Sequence, residues 1–147
     1  MEKQENTVAR SITAAAGRRV SRLPVAGPVL VVEDDRCLRE ALLTDLEMSG
    51  FRVVTAANGK EALAAIRKGL RPSVILTDLM MPVMDGWQLR AELLRDSKLA
   101  AIPVVVLSAR GDAERQARNL GVEAGLAKPV DLDKLHDILA SHHPIGH

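Results

Sequence analysis

The sequence predicts an α/β fold, a single five-stranded parallel sheet with helices on both faces. Three observations carry this. Short β-branched runs alternate with segments whose apolar residues recur at helical spacing. The runs are continuously apolar rather than alternating, so both sheet faces must be covered. Most of them stop at a polar side chain, a pattern expected where strand ends build a site. The chain's 147 residues suit one domain.

Val29 to Val32 is the first strand, ending in Glu33-Asp34-Asp35. Leu38, Ala41, Leu42, Leu43 and Leu46 then mark a helix, with Gly50 as its C-cap and Cys37 as a small buried member. Phe51 to Thr55 is the second strand. Asn58 opens the next helix, with Glu61 completing an Asn-type capping box and Ala62, Leu63, Ile66 and Leu70 as the apolar stripe. Ser73 to Thr77 is the third strand and ends at Asp78. A turn through Pro82 and Gly86 leads to a helix carrying Trp87, Leu89, Leu93 and Leu94. Pro103 to Leu107 is the fourth strand, ending at Ser108. Asp112 to Leu120 reads as a short, polar, weakly amphipathic helix. Val122 to Ala127 is the fifth strand and ends at Lys128. Asp131 caps a final helix that turns Leu132, Leu135, Ile138 and Leu139 inward. Five strands thus alternate with five helices. Periodicity does not order the strands within the sheet.

Composition narrows the function classes. Apolar residues make up 47% of the chain but aromatic ones only 1%, so the core is aliphatic and stacking platforms for single-stranded nucleic acid are missing. The net charge of +1 offers no global field toward nucleic acid or membrane, and direct binding to either is not expected. Cys37 is the only cysteine, which excludes an internal disulfide and fits a cytoplasmic protein. No apolar run reaches the length of a bilayer span. Residues 1–27 carry five basic residues against two glutamates and lack the apolar centre of a secretory signal. They read as a basic, disordered extension before a domain over 28–141, with 142–147 as a short tail. His142 and His143 read as tail residues. His136 and His147, like them, lack any metal-site or relay context.

The strand ends bring Glu33, Asp34, Asp78, Ser108 and Lys128 to one sheet edge. Carboxylates gathered there repel each other, by about 4 kcal/mol for a pair roughly 4 Å apart at an effective dielectric of about 20. Lys128 alone is too little to offset this, and a hard divalent cation such as Mg²⁺ fits. Asp34 and Asp78 are assigned as direct ligands, Glu33 as acting through a water or orienting the site, and the Met80 backbone carbonyl as completing the protein's share. Asp78 is then a carboxylate nucleophile toward phosphorus. Lys128 and the ion hold the phosphoryl oxygens, and Ser108 donates its hydroxyl to one of them after transfer. Asp35 faces solvent or caps the following helix.

Four segments carry a resemblance. Val29 to Asp35, Leu76 to Gly86, Leu107-Ser108-Ala109 and Ala127-Lys128-Pro129 stand in order, each at a strand end. Over Pro28 to Ala140 the chain resembles the response-regulator receiver family of two-component signal transduction. The resemblance implies a flavodoxin-like sheet of order 2-1-3-4-5. It also implies Mg²⁺-dependent transfer of a phosphoryl group to Asp78 from a histidine kinase or histidine phosphotransfer protein. The family's acidic pair falls on Glu33 and Asp34. Such a protein is a phosphoacceptor that takes part in its own phosphorylation and dephosphorylation, not a conventional enzyme.

The match departs from the family's pattern in three places. The acidic pair is Glu-Asp rather than Asp-Asp. Gly125 stands where the family usually has an aromatic switch residue, and Val130 where Phe is frequent. The output face implied by the resemblance is the fourth helix, fifth strand and last helix. The leading expectation is a stand-alone receiver without an output domain that switches partner binding. Its rivals are the receiver of a hybrid kinase or phosphorelay and a pseudo-receiver that is never phosphorylated. An aspartyl phosphatase is disfavoured by Met80, where a second acid is wanted. A nucleotide-binding enzyme is disfavoured because no glycine-rich loop follows the first strand.

Overall fold

The computed structural model describes residues 27–142. Five strands run in order: β1 (Val29–Val32), β2 (Val53–Ala56), β3 (Val74–Asp78), β4 (Val104–Ser108) and β5 (Ala124–Ala127). They form one parallel sheet in the spatial order β2-β1-β3-β4-β5. The helices are α1 (Arg36–Met48), α2 (Gly59–Arg67), α3 (Gly86–Leu94), α4 (Ser97–Ala100), α5 (Ala113–Leu120) and α6 (Leu132–His142). The expected single sheet with helices on both faces is observed, in the order the family resemblance implies. Residues 1–26 of the basic extension lie outside the described residues, as do His143 and His147.

Alternation along each strand divides the core in two. Leu30, Val32, Ile75, Val104 and Val106 face Ala62, Leu63 and Ile66 of α2, Leu89 and Leu93 of α3, Leu99 of α4 and Ala117 of α5. Val29, Val31, Val74, Leu76, Val105 and Leu107 face Leu42 and Leu46 of α1 and Leu135 and Leu139 of α6. Each of these valine, leucine and isoleucine side chains contributes roughly 1.5–3 kcal/mol on burial. The register then sets the site. Val32 is level with Thr77, Asp78 with Leu107, and Ser108 with Ala127. The residue that follows or closes each of β1, β3, β4 and β5 therefore stands at a common edge.

Several expectations are corrected. A sixth helix, the single turn α4, forms between α3 and β4, where Asp96 accepts from the Lys98 N–H at 2.9 Å. Cys37 is exposed, because it sits on the solvent side of α1's first turn. Ala41 and Leu94 are likewise exposed. Ser49, not Gly50, is the C-cap of α1. Gly50 is the next residue, with φ of 97°, and the Phe51 N–H returns to the Leu46 carbonyl at 3.0 Å to close the helix end. Asn58 accepts from the Glu61 N–H at 2.9 Å, but the Glu61 side chain reaches back to the Ala57 N–H rather than to the N-cap's own. α5 is sharply rather than weakly amphipathic, with Ala113 and Ala117 buried against a charged outer face; small alanines had hidden its apolar stripe. α6 extends through His142, which lies 3.7 Å from Glu123 and so belongs to the domain. His136 also has a context, its Nε2 standing 2.6 Å from Asp45 of α1.

Candidate functional site

β1 is followed by Glu33, fully buried, and Asp34, exposed. Asp35 caps α1, accepting from the Leu38 N–H at 3.1 Å. The turn is braced from behind by Arg39, whose guanidinium donates to the Glu33 carbonyl at 2.9 Å and the Asp34 carbonyl at 3.4 Å. Asp78 closes β3 and is buried. Carboxylate oxygens of Glu33, Asp34 and Asp78 lie within 4.8 Å of one another.

Lys128 reaches this cluster from the end of β5. Its ammonium donates to Asp78 Oδ2 at 2.8 Å and stands 3.0 Å from Glu33 Oε1. Buried Glu33 Oε1 has this charge partner and retains spare acceptor capacity. Glu33 Oε2 accepts from the Asp35 N–H at 3.0 Å. Burial pushes the Glu33 carboxyl above its ordinary range, against the opposing pull of the Asp35 N–H and Lys128. Burial works against the Lys128 ammonium, but hydrogen bonding and attraction from Asp78 and Glu33 outweigh it and hold the group above its ordinary value.

Asp78 is oriented by the loop after it. The Met80 N–H donates to Asp78 Oδ1 at 3.3 Å, so both carboxylate oxygens are held. The Gly86 N–H closes the loop on the Leu79 carbonyl at 2.9 Å. A Cβ at Gly86 would lie 2.6 Å from the Asp78 carbonyl oxygen, so only glycine lets α3 start this close to the acidic strand end. Asp85 caps α3 in a reciprocal box with Gln88. At the loop's tip Val83 has φ of 74° and is largely exposed. A β-branched residue in that region is strained by about 1–3 kcal/mol.

Ser108 is buried at the end of β4. Its hydroxyl donates to Asp112 Oδ1 at 2.7 Å and accepts from the Arg110 N–H at 3.2 Å. The Ser108 and Gln116 hydrogen bonds hold the Asp112 carboxyl below its usual range. Trp87 is half-buried and donates from its indole Nε1 to Gln116 Oε1 at 3.3 Å.

The structure thus brings Glu33, Asp34, Asp78 and Lys128 together as one cluster and turns the Ser108 hydroxyl toward α5. Met80 follows with its side chain exposed. The donor set fits a hard divalent cation: three carboxylates, one buried oxygen with unused acceptor capacity, and no sulfur or imidazole. Sequence reasoning missed Arg39, Asp112 and Gln116 as parts of this edge. Arg39 acts on backbone carbonyls, which no side-chain motif records. Asp112 was legible only as the start of a helix.

Comparison with known proteins places this geometry. Residues 29–140 match the model of the response regulator receiver domain. Response regulator Rre1 of Synechocystis is 40% identical over 114 residues, which is 76% of this chain and 49% of that one. The chain therefore spans about half of that relative's length. A response regulator receiver protein from Pseudomonas putida superposes with a TM-score of 0.73 at 32% identity, covering 81% of this chain and 99% of that one. Response regulator TrrA of Thermotoga maritima, solved in complex with Mg²⁺ and BeF, superposes at 0.67 with 25% identity over 77% of this chain and 96% of that one.

Proposed function

The chain belongs to the response regulator receiver domain family, and from that premise we propose that Asp78 accepts a phosphoryl group in a Mg²⁺-dependent reaction and thereby switches partner binding. One observation carries this reading most: Asp78 is buried at a strand end, with both oxygens held, inside a cluster of two further carboxylates and one ammonium.

The donor would be a histidine kinase or a histidine phosphotransfer protein. An Asp78 oxygen forms a bond to phosphorus as the P–N bond of the donor's phosphohistidine breaks, the electron pair leaving on the imidazole. The N–H of Met80 and the ammonium of Lys128 aim the nucleophile. Asp34, Asp78, the Met80 carbonyl and, through a water, Glu33 would hold Mg²⁺. Bound there, the ion supplies positive charge to the acidic cluster and to the phosphoryl oxygens. Lys128 pairs with the product phosphoryl group, and Ser108 donates to it once its hydroxyl turns. The setting would be the cytoplasm; among the described residues no helix is long and apolar enough to cross a membrane.

The test is incubation with acetyl phosphate and Mg²⁺, read by intact mass. Wild type is expected to gain one phosphoryl group, and neither Asp78→Asn nor a chelated wild type should do so. An unphosphorylated wild type under conditions that label another receiver would instead favour the pseudo-receiver reading, to which Gly125 is the pointer.

A further inference from the structure

The Ser108 hydroxyl has one proton, and it is already committed. It goes to Asp112 Oδ1 at 2.7 Å, while the hydroxyl's lone pair takes the Arg110 N–H. Asp112 stands immediately before α5, where its side chain would ordinarily accept from a first-turn N–H, yet it makes no cap hydrogen bond. Its other oxygen accepts from Gln116 Nε2 at 3.1 Å and lies 3.5 Å from Arg115. Gln116 in turn accepts the Trp87 indole N–H from α3. A continuous chain therefore runs Ser108–Asp112–Gln116–Trp87, from the end of β4 across α5 to α3.

At Gly125 of β5 there is no side chain to carry the same message. A Cβ at Gly125 would fall 2.1 Å from the Ala113 carbonyl oxygen and 3.2 Å from the Ala117 Cβ, so α5 is seated directly on the strand.

We propose that Asp112 is a positioning residue that holds the Ser108 proton away from Asp78. Phosphorylation then exchanges the Ser108–Asp112 hydrogen bond for one from Ser108 to the phosphoryl group. This deepens the reading of Asp78 as phosphoacceptor and rests on it. The exchange is offset in part. When Ser108 leaves, Asp112 Oδ1 becomes free to accept from the N–H groups at the start of α5, so some of the lost charge-assisted hydrogen bond is recovered. The helix start changes from uncapped to capped. The change reaches Trp87 through Gln116. The latch thus occupies the place a turning ring would take, and its message leaves through α5 and α3.

Beryllofluoride with Mg²⁺ is the probe, titrated by calorimetry and by Trp87 emission. Four chains are compared: wild type, Asp112→Ala, Ser108→Ala and the double variant. Asp112→Ala should bind roughly tenfold more tightly than wild type, because a hydrogen bond to a charged group no longer has to be broken. Ser108→Ala should bind more weakly. In the double variant the Asp112 substitution should change nothing, since its whole effect passes through the Ser108 hydroxyl. Gln116→Ala should keep wild-type affinity and lose most of the Trp87 emission change. An Asp112→Ala chain that binds no more tightly, or a tightening that persists without Ser108, would overturn the latch while leaving Asp78 as acceptor. A wild type that binds no beryllofluoride, or an Asp78→Asn chain that binds it equally well, would overturn the acceptor reading, and the latch with it.

Discussion

The two halves of the sheet's carboxyl edge are built on different terms. On the acceptor side, Glu33, Asp78 and Lys128 are pulled together by contacts of 2.8 and 3.0 Å between charged groups that are mostly out of water. On the switch side, Ser108, Asp112, Gln116 and Trp87 are joined by part-buried hydrogen bonds at the start of α5, only one partner of which is a charged group. Buried charges are costly to leave unpaired, whereas a hydrogen bond of this kind is readily replaced by water or by another donor. The acceptor side is thus fixed before any ligand arrives, and the switch side is held by bonds that exchange readily.

The largest expected effect lies on the acceptor side. Lys128→Met leaves Glu33 and Asp78 facing each other without a cation and should lower stability by about 3 kcal/mol in urea unfolding without metal. Millimolar Mg²⁺ should return much of that loss, since the ion replaces the missing charge. A substitution that cost nothing would mean the cluster is not the pre-paid unit described here.

Gly125→Ala comes next and tests the seating of α5 on β5. With its Cβ 2.1 Å from a backbone carbonyl oxygen, the helix must shift, at a cost of about 1–3 kcal/mol. An unchanged urea midpoint would show that α5 has room beside the strand.

The pH dependence is smaller and has two limbs of the same sign. Lys128 is raised above its ordinary value of 10.5, so the stability it contributes is fully present below that pH and is lost as pH rises through the folded value. Glu33 is raised above 4.5, so the folded state holds its proton longer than the unfolded one. Its contribution falls as pH rises from 4.5 through the raised value. The stability of Glu33→Gln relative to wild type should therefore improve as pH rises across that window in metal-free buffer. A difference that stays flat with pH would place Glu33 in a less buried, better paired setting.

The acceptor side was legible in the sequence because each of its side chains ends a β-branched run, and a parallel sheet aligns such ends. Glu33, Asp34, Asp78 and Lys128 needed only that rule and the family resemblance. The switch side was not legible. Asp112 looks like any helix-starting acid, and the distance from Ser108 to Trp87 is crossed by side chains on three separate elements. In the fold, all five strands and the longer helices follow from apolar periodicity. The single turn α4 does not, because four residues carry too little pattern to be read. Cys37 and Ala41 were misplaced for a related reason: a helix face cannot be aimed by small residues when leucines stand on both sides of the stripe.

The most direct measurement of the central claim is borohydride reduction of the acetyl-phosphate-treated protein, followed by peptide mapping. An acyl phosphate at Asp78 should convert that residue alone to homoserine, and only in samples that contained Mg²⁺. Reduction at Asp34, Asp35 or Asp85 with Asp78 intact would contradict the account.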